Sequence, residues 1–294
     1  MVKYLITTLV VLLTTGHVNS QNKDSKETDP LKEVVYKEVD GNKLKLSFYY
    51  PNKFNKRKQY PTMIFFFGGG WTGGSTAQFK DQAIYFASRG MITVLADYRV
   101  KSRHQTTPFE SVKDAKSAIR YLRNHAKEFG IHPNKIIASG GSAGGHIAAA
   151  SSLVSGLNET GEDVSVSTKA NALVLFNPVV DMSPDGFAND KVGDRYLEIS
   201  PMQNITKGAP PTIIFLGTKD KIIPVSIVEK FKSKMEAVGS RCDLRLYEGQ
   251  PHGFFNKGRQ EADKCYIATV FEADLFLQSL GYIKGEETIT KSKK

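Results

Sequence analysis

Runs of apolar residues alternate along the chain with segments of helical period. Leu44 to Tyr50 alternates apolar and polar positions, as an early antiparallel strand with one wet face does. Thr62 to Phe67 and Ile92 to Ala96 are almost wholly apolar, the pattern of strands covered on both faces. Between them, Gln78 to Arg89 reads as a helix. Phe109 to Phe129 predicts a longer one, with Val112, Ala115, Ile119 and Leu122 on one face. Further strands are expected at Lys135 to Ser139, Ala172 to Phe176, Thr212 to Leu216 and Leu244 to Tyr247. Helices are expected at Gly145 to Ser155, Ser226 to Val238 and Ala262 to Leu280. Such alternation predicts an α/β fold: a mostly parallel sheet with helices on both faces. In these sheets, function sits on loops at the carboxyl ends of the strands. Residues 178–210 have no clear period and carry Pro, Gly, Asp and Asn throughout, so an ordered insertion over the active face is expected there.

The chain start changes the picture of where the protein works. Residues 1–20 read as an export signal: Lys3, a short apolar run from Leu5 to Leu13, then Val18 and Ser20 where a signal peptidase reads. The run is short for a membrane span, so cleavage near Ser20 and export to the periplasm or beyond are expected, without stable membrane insertion. Residues 21–33 then form a flexible leader, 34–283 one folded domain, and 284–294 a charged tail. At 294 residues with 40% hydrophobic content, the chain can bury a sizeable core. The net charge of +10 is spread out, with only Lys56 to Lys58 approaching a basic run. A solvated surface explains it, although a basic face also suits acidic polysaccharides. No nucleic-acid-binding motif is present. Cys242 and Cys265 are expected about a strand length apart, so they are not expected to pair. Cysteine and histidine spacing offers no zinc pattern, and no metal or cofactor is expected.

Two glycine-rich stretches carry the chemistry. The first, Phe65 to Ser75, is "FFFGGGWTGGS", and Gly68, Gly70 and Gly73 fit a dinucleotide cradle, with Asp97 near where a ribose-binding acid belongs. The second, "GGSAGG" from Gly140, satisfies G-x-S-x-G between a buried strand and an Ala-rich helix. There a serine stands proud of the sheet on a tight turn, with glycines two before and two after relieving the crowding. That makes Ser142 a candidate nucleophile. A serine needs a base and the base an orienting acid, each just after a later strand. Asp220 in "GTKDKIIP" and His252 in "EGQPHGFF" stand in those places. Asp181 is the reserve acid, while Glu248 is too close to His252 to reach behind its ring. His146 reads as packing, His104 as a cleft residue, and His125 and His132 as surface. The dinucleotide reading leaves Ser142, Asp220 and His252 unexplained and puts bulky Trp71 where a pyrophosphate must approach. An oxyanion loop uses everything. A phosphate-binding loop fails because no G-K-[ST] follows.

With "FGGGW", "ADYR", "GGSAGGH", "GTKD" and "EGQPHGF" in place, residues Val34 to Ile283 resemble the α/β-hydrolase fold. More narrowly, they resemble bacterial esterases of the hormone-sensitive-lipase group, including exported carbohydrate esterases. The resemblance implies that Gly69, Gly70 and Ala143 donate to the oxyanion, and that "ADYR" supports the cleft. It also implies removal of acetyl groups from plant or algal polysaccharides, with a feruloyl or aryl esterase as the alternative. A peptidase or a non-catalytic carbohydrate-binding relic is the remoter reading. Trp71, Tyr98 and Phe187 are candidate pocket walls, with plain packing the alternative for each. One departure stands out. The family motif begins His-Gly-Gly-Gly, and Phe67 holds the histidine position here. Apolar packing must then brace the loop.

Overall fold

The computed structural model describes residues 30–258 and 262–289. The expected signal, the leader up to residue 29 and the tail from residue 290 lie outside the described residues. In chain order the elements are β1 (Lys32–Val39), β2 (Asn42–Tyr49), β3 (Tyr60–Phe66), α1 (Lys80–Ser88), β4 (Ile92–Ala96), α2 (Lys101–His104), α3 (Pro108–Asn124) and α4 (Ala126–Phe129). They continue with β5 (Ile131–Gly141), α5 (Ala143–Leu153), β6 (Ala172–Phe176), β7 (Thr212–Gly217), α6 (Val225–Ala237), β8 (Cys242–Tyr247) and α7 (Ala262–Ser279).

The strands form one sheet in the order β1-β2-β4-β3-β5-β6-β7-β8. β1 and β2 are antiparallel, and every pair from β4 to β8 is parallel. Side chains alternate between two cores, as the period of two requires. In β3, Ile64 and Phe66 join the core shared with α3, α5 and α6, while Met63 and Phe65 join the one shared with α1 and α7. Burial on both sides explains the unbroken apolar runs.

Three differences from the expectation have physical causes. β1 begins at Lys32, inside the expected leader. Its charged sequence hides a strand because Lys37 is buried by ion pairs with Asp114 (2.6 Å) and Glu159 (2.6 Å). The long helix expected to run to Phe129 ends at Asn124, where His125 leaves helical geometry and stacks on Tyr121. At the other end, Gly285 accepts a hydrogen bond from Arg89 and Ile289 packs on the core, so the tail is anchored through that point. Residues 178–210 form 3₁₀ turns at Asn189–Lys191, Gly193–Glu198 and Pro201–Asn204. They bind back over α5, where His146 Nε2 meets the Ile199 carbonyl at 3.2 Å. Cys242 and Cys265 are buried and are not joined in a disulfide. Among the described residues, no helix is long and apolar enough to cross a membrane.

Candidate active site

Ser142 stands between β5 and α5 in a left-handed conformation, φ 54° and ψ −119°. A non-glycine residue holds such a conformation only where its surroundings force it. Here the Ser142 amide donates to the Phe176 carbonyl at 2.9 Å, and its own carbonyl receives the His146 amide of α5 at 3.0 Å. Gly144 lies so close to the end of β3 that a Cβ would overlap the carbonyl oxygens of Phe66 and Phe67. That contact is the reason for glycine two residues after the serine. It also lets α5 start directly behind the hydroxyl, with the positive end of its dipole toward the site.

Two later loops complete a relay. His252 Nε2 lies 3.0 Å from Ser142 Oγ, and Nδ1 lies 2.7 Å from Asp220 Oδ2. The Asp220 side chain is wholly buried, and its Oδ1 accepts the amides of Ile222 (2.8 Å) and Ile223 (3.0 Å). Burial pushes its carboxyl up, but the hydrogen bonds from His252, Ile223 and Ile222 outweigh that and hold it below the usual carboxylate range. An ionised Asp220 fixes the tautomer: Nδ1–H donates to the carboxylate, leaving Nε2 to accept from the serine.

Asn177, just past β6, is part of the site and escaped the sequence reading. It is fully buried, its Oδ1 accepts the Gly253 amide at 3.0 Å, and its Nδ2 lies 3.4 Å from His252 Nε2. Its signal was its place, "FNP" at the carboxyl end of a buried strand, with no catalytic residue type to flag it.

The glycine cluster folds against the elbow. A Cβ on Gly68 would lie 3.4 Å from the Ser142 Cβ. Gly69 has φ 130°, open to glycine alone, and its carbonyl receives the Thr72 amide at 3.0 Å to close a turn. Phe67 is buried and stacks on Tyr98 at 4.1 Å and 19°, and the Tyr98 hydroxyl donates to the Phe67 carbonyl at 2.6 Å. The bracing therefore comes from a ring stack and a hydrogen bond. A second brace is Gln78, on the 3₁₀ turn Thr76–Phe79. Its Oε1 accepts the Gly68 amide at 2.6 Å, and its Nε2 donates to Asn256 Oδ1 at 3.0 Å. Asn256 Nδ2 donates in turn to the Gly253 carbonyl at 2.8 Å. One side chain thus links the glycine loop to the histidine loop.

The family model BD-FAE matches residues 46–189, a span from β2 through the elbow that stops short of Asp220 and His252. Esterase 2 of Thermogutta terrifontis, solved with propionate bound, is 43% identical. The match covers 89% of this chain and 98% of that one, with a TM-score of 0.84. The chain belongs to the esterases of the α/β-hydrolase fold. The same Thermogutta esterase has been solved phosphorylated by paraoxon, matching at 44% identity, 87% and 96% coverage and a TM-score of 0.82. Among curated relatives, a probable isoprenylcysteine alpha-carbonyl methylesterase of Arabidopsis thaliana is 31% identical over 74% of this chain and 50% of its own. An acetylxylan esterase of Xylanibacter ruminicola is 27% identical over 64% of this chain and 39% of its own. The chain spans about half the length of the first of these relatives.

Within this esterase, the other candidates are occupied elsewhere. Tyr98 has no exposed surface, so its ring cannot wall a substrate pocket; it supports the loop beneath. Trp71 is almost wholly buried, meeting His146 edge-on at 5.1 Å, and shows one side to a cleft. Phe187 is half-buried against the core and makes no ring contact among the described residues. Asp97 pairs with Arg103 at 2.7 Å, and Arg99 pairs with buried Asp114 at 2.8 Å. Asp181 binds Ser183 and Gln203 and does not reach His252. His146 is enclosed, and burial pushes its pKa down to about 3, so it is neutral. His104 turns its Nδ1 to the Val100 amide. Among the described residues, no group of three His, Cys, Asp or Glu side chains could hold a metal ion.

Proposed function

We propose that this protein hydrolyses short-chain carboxylic esters through an acyl-enzyme on Ser142, with O-acetyl groups on polysaccharides as the substrate. The observation that carries the reading is the continuous relay Ser142 Oγ, His252, Asp220 beside the glycine loop. His252 Nε2 takes the hydroxyl proton as Ser142 Oγ attacks the ester carbonyl. Negative charge on the carbonyl oxygen is met by the amides of Gly69, Gly70 and Ala143. Each such donor is worth ~3–4 kcal/mol in the transition state. The proton on His252 passes to the departing alcohol. A water deprotonated by the same nitrogen then attacks the acyl carbon, and the acid leaves as the proton returns to Ser142.

The short acyl group is supported by the Thermogutta esterase, whose structures hold propionate and butyrate. The sugar ester is supported by the likeness to an acetylxylan esterase. Export before action is part of the proposal and rests on the apolar run at residues 5–13 after Lys3. The test is a panel of native polysaccharides, with released acetate and ferulate both measured. Acetate should dominate and vanish with Ser142→Ala. Dominant ferulate release would replace the acetyl reading by the aryl one.

A further inference from the structure

A cleft of about 540 Å³ opens from the glycine loop. Its walls include Gly70, Trp71, Lys101, Thr106, Asp190 and Lys191, so it runs between the loop, the start of α2 and the insertion. It adjoins the glycine loop at Gly70 and Trp71, and the Trp71 ring packs on His146, four residues after Ser142. Two features mark it as built for a ligand. Trp71 holds φ 58°, costly for a bulky aromatic, and is kept there by the Lys101 amide donating to its carbonyl at 2.9 Å. The Trp71 Nε1 and Thr106 Oγ1 atoms are buried in the protein without a hydrogen-bond partner. Buried polar atoms seldom stay unpaired without a reason.

Charge supplies the chemistry. Lys101 and Lys191 both reach this cleft, and neither is ion-paired among the described residues. Asp190 offsets only one of them. Resting on the esterase reading above, we infer that this cleft holds the alcohol portion of the ester and selects alcohols that carry a carboxylate, namely O-acylated acidic sugars. An acetyl group is far too small to fill the cleft, so its occupant is the sugar. Two ammonium groups in a concave wall attract a uronate carboxylate. The lysines are exposed, so the gain is modest and weakened by salt.

The experiment compares acetylated oligogalacturonate with acetylated xylo-oligosaccharide of equal length, at low and high salt. The wild type should show kcat/KM roughly three- to tenfold higher on the acidic ester at low salt, mostly through KM, and lose the preference at high salt. Lys101→Gln with Lys191→Gln should bring the acidic-to-neutral ratio toward one, and Asp190→Asn should raise it. Opposite shifts from the two variants cannot come from unfolding. A ratio near one in the wild type, or one unmoved by either variant, overturns the inference. Failure of the wild type on p-nitrophenyl acetate is a separate result, which removes the esterase reading itself.

Discussion

Ser142 and His252 meet through one hydrogen bond, but different forces hold them. Ser142 is fixed by backbone: its amide is tied to Phe176, and glycines on either side let the turn close against β3. His252 is fixed by side chains drawn from three other places. Asp220 follows β7, Asn177 follows β6, and Gln78 acts through Asn256 from beyond the glycine loop. The proposed nucleophile should therefore fail when volume is added, and the proposed base when a polar atom is removed.

The largest effect expected on the base is from Asp220→Asn. It keeps the volume but removes the charged acceptor that fixes the His252 tautomer. Turnover of p-nitrophenyl acetate should fall ~10⁴-fold with the fold intact by circular dichroism. A loss below tenfold would mean that Asp220 is not the orienting acid. On the nucleophile side, Gly144→Ala pushes a methyl into the Phe66 and Phe67 carbonyls. The elbow must shift, so kcat should drop ~10²-fold and stability by about 1–3 kcal/mol. Near-normal kcat in that variant would break the claim that the elbow is limited by volume.

The same division explains what could be read from the chain. Backbone constraints leave marks in sequence: Gly140 and Gly144 around Ser142, and the apolar runs of β3 and β6, announce their geometry. Asp220 and His252 were legible because each follows a recognisable strand and has the right residue type. Asn177, Gln78 and Asn256 were not. They are amides on separate loops, joined only by the fold, and amides are common on any surface. Tyr98 misled for a related reason. An aromatic beside a cleft reads the same whether it faces the ligand or, as here, supports the loop under it. β1 was hidden because Lys37 looks exposed until Asp114 and Glu159 are brought to it.

Smaller effects sharpen the comparison. Asn177→Leu orphans the Gly253 amide, a loss of about 1–3 kcal/mol, and the resulting slack in His252 should lower kcat ~10-fold. Gln78→Leu should lower it by less, about fivefold, since Tyr98 still braces the loop. Gln78→Glu keeps the acceptor for Gly68 and should recover part of that loss. No recovery would show that the link to Asn256, rather than the Gly68 amide, is what matters.

His146 should affect stability alone. Burial lowers its pKa from 6.5 to about 3, so the unfolded chain takes up a proton that the fold refuses. Stability is then unaffected above about pH 6.5 and falls as pH drops toward 3. By about pH 4.5 the loss amounts to about 2–3 kcal/mol. Asp220 acts in the same direction at lower pH, because its carboxyl is held below the usual range and its stabilisation is lost as pH falls from the ordinary carboxylate range through that depressed value. His146→Gln keeps a donor for the Ile199 carbonyl and does not titrate, so urea midpoints at neutral and acid pH should lie closer together than in the wild type. An unchanged gap would mean that other groups set the acid limit.

The central claim is that Ser142, activated by His252, is the group that attacks the ester. Intact-mass measurement after treatment with paraoxon tests it most directly. One diethylphosphoryl group should appear on the wild type, map to Ser142, and be absent from Ser142→Ala. No adduct on the wild type, or an equal adduct on the variant, would contradict the account.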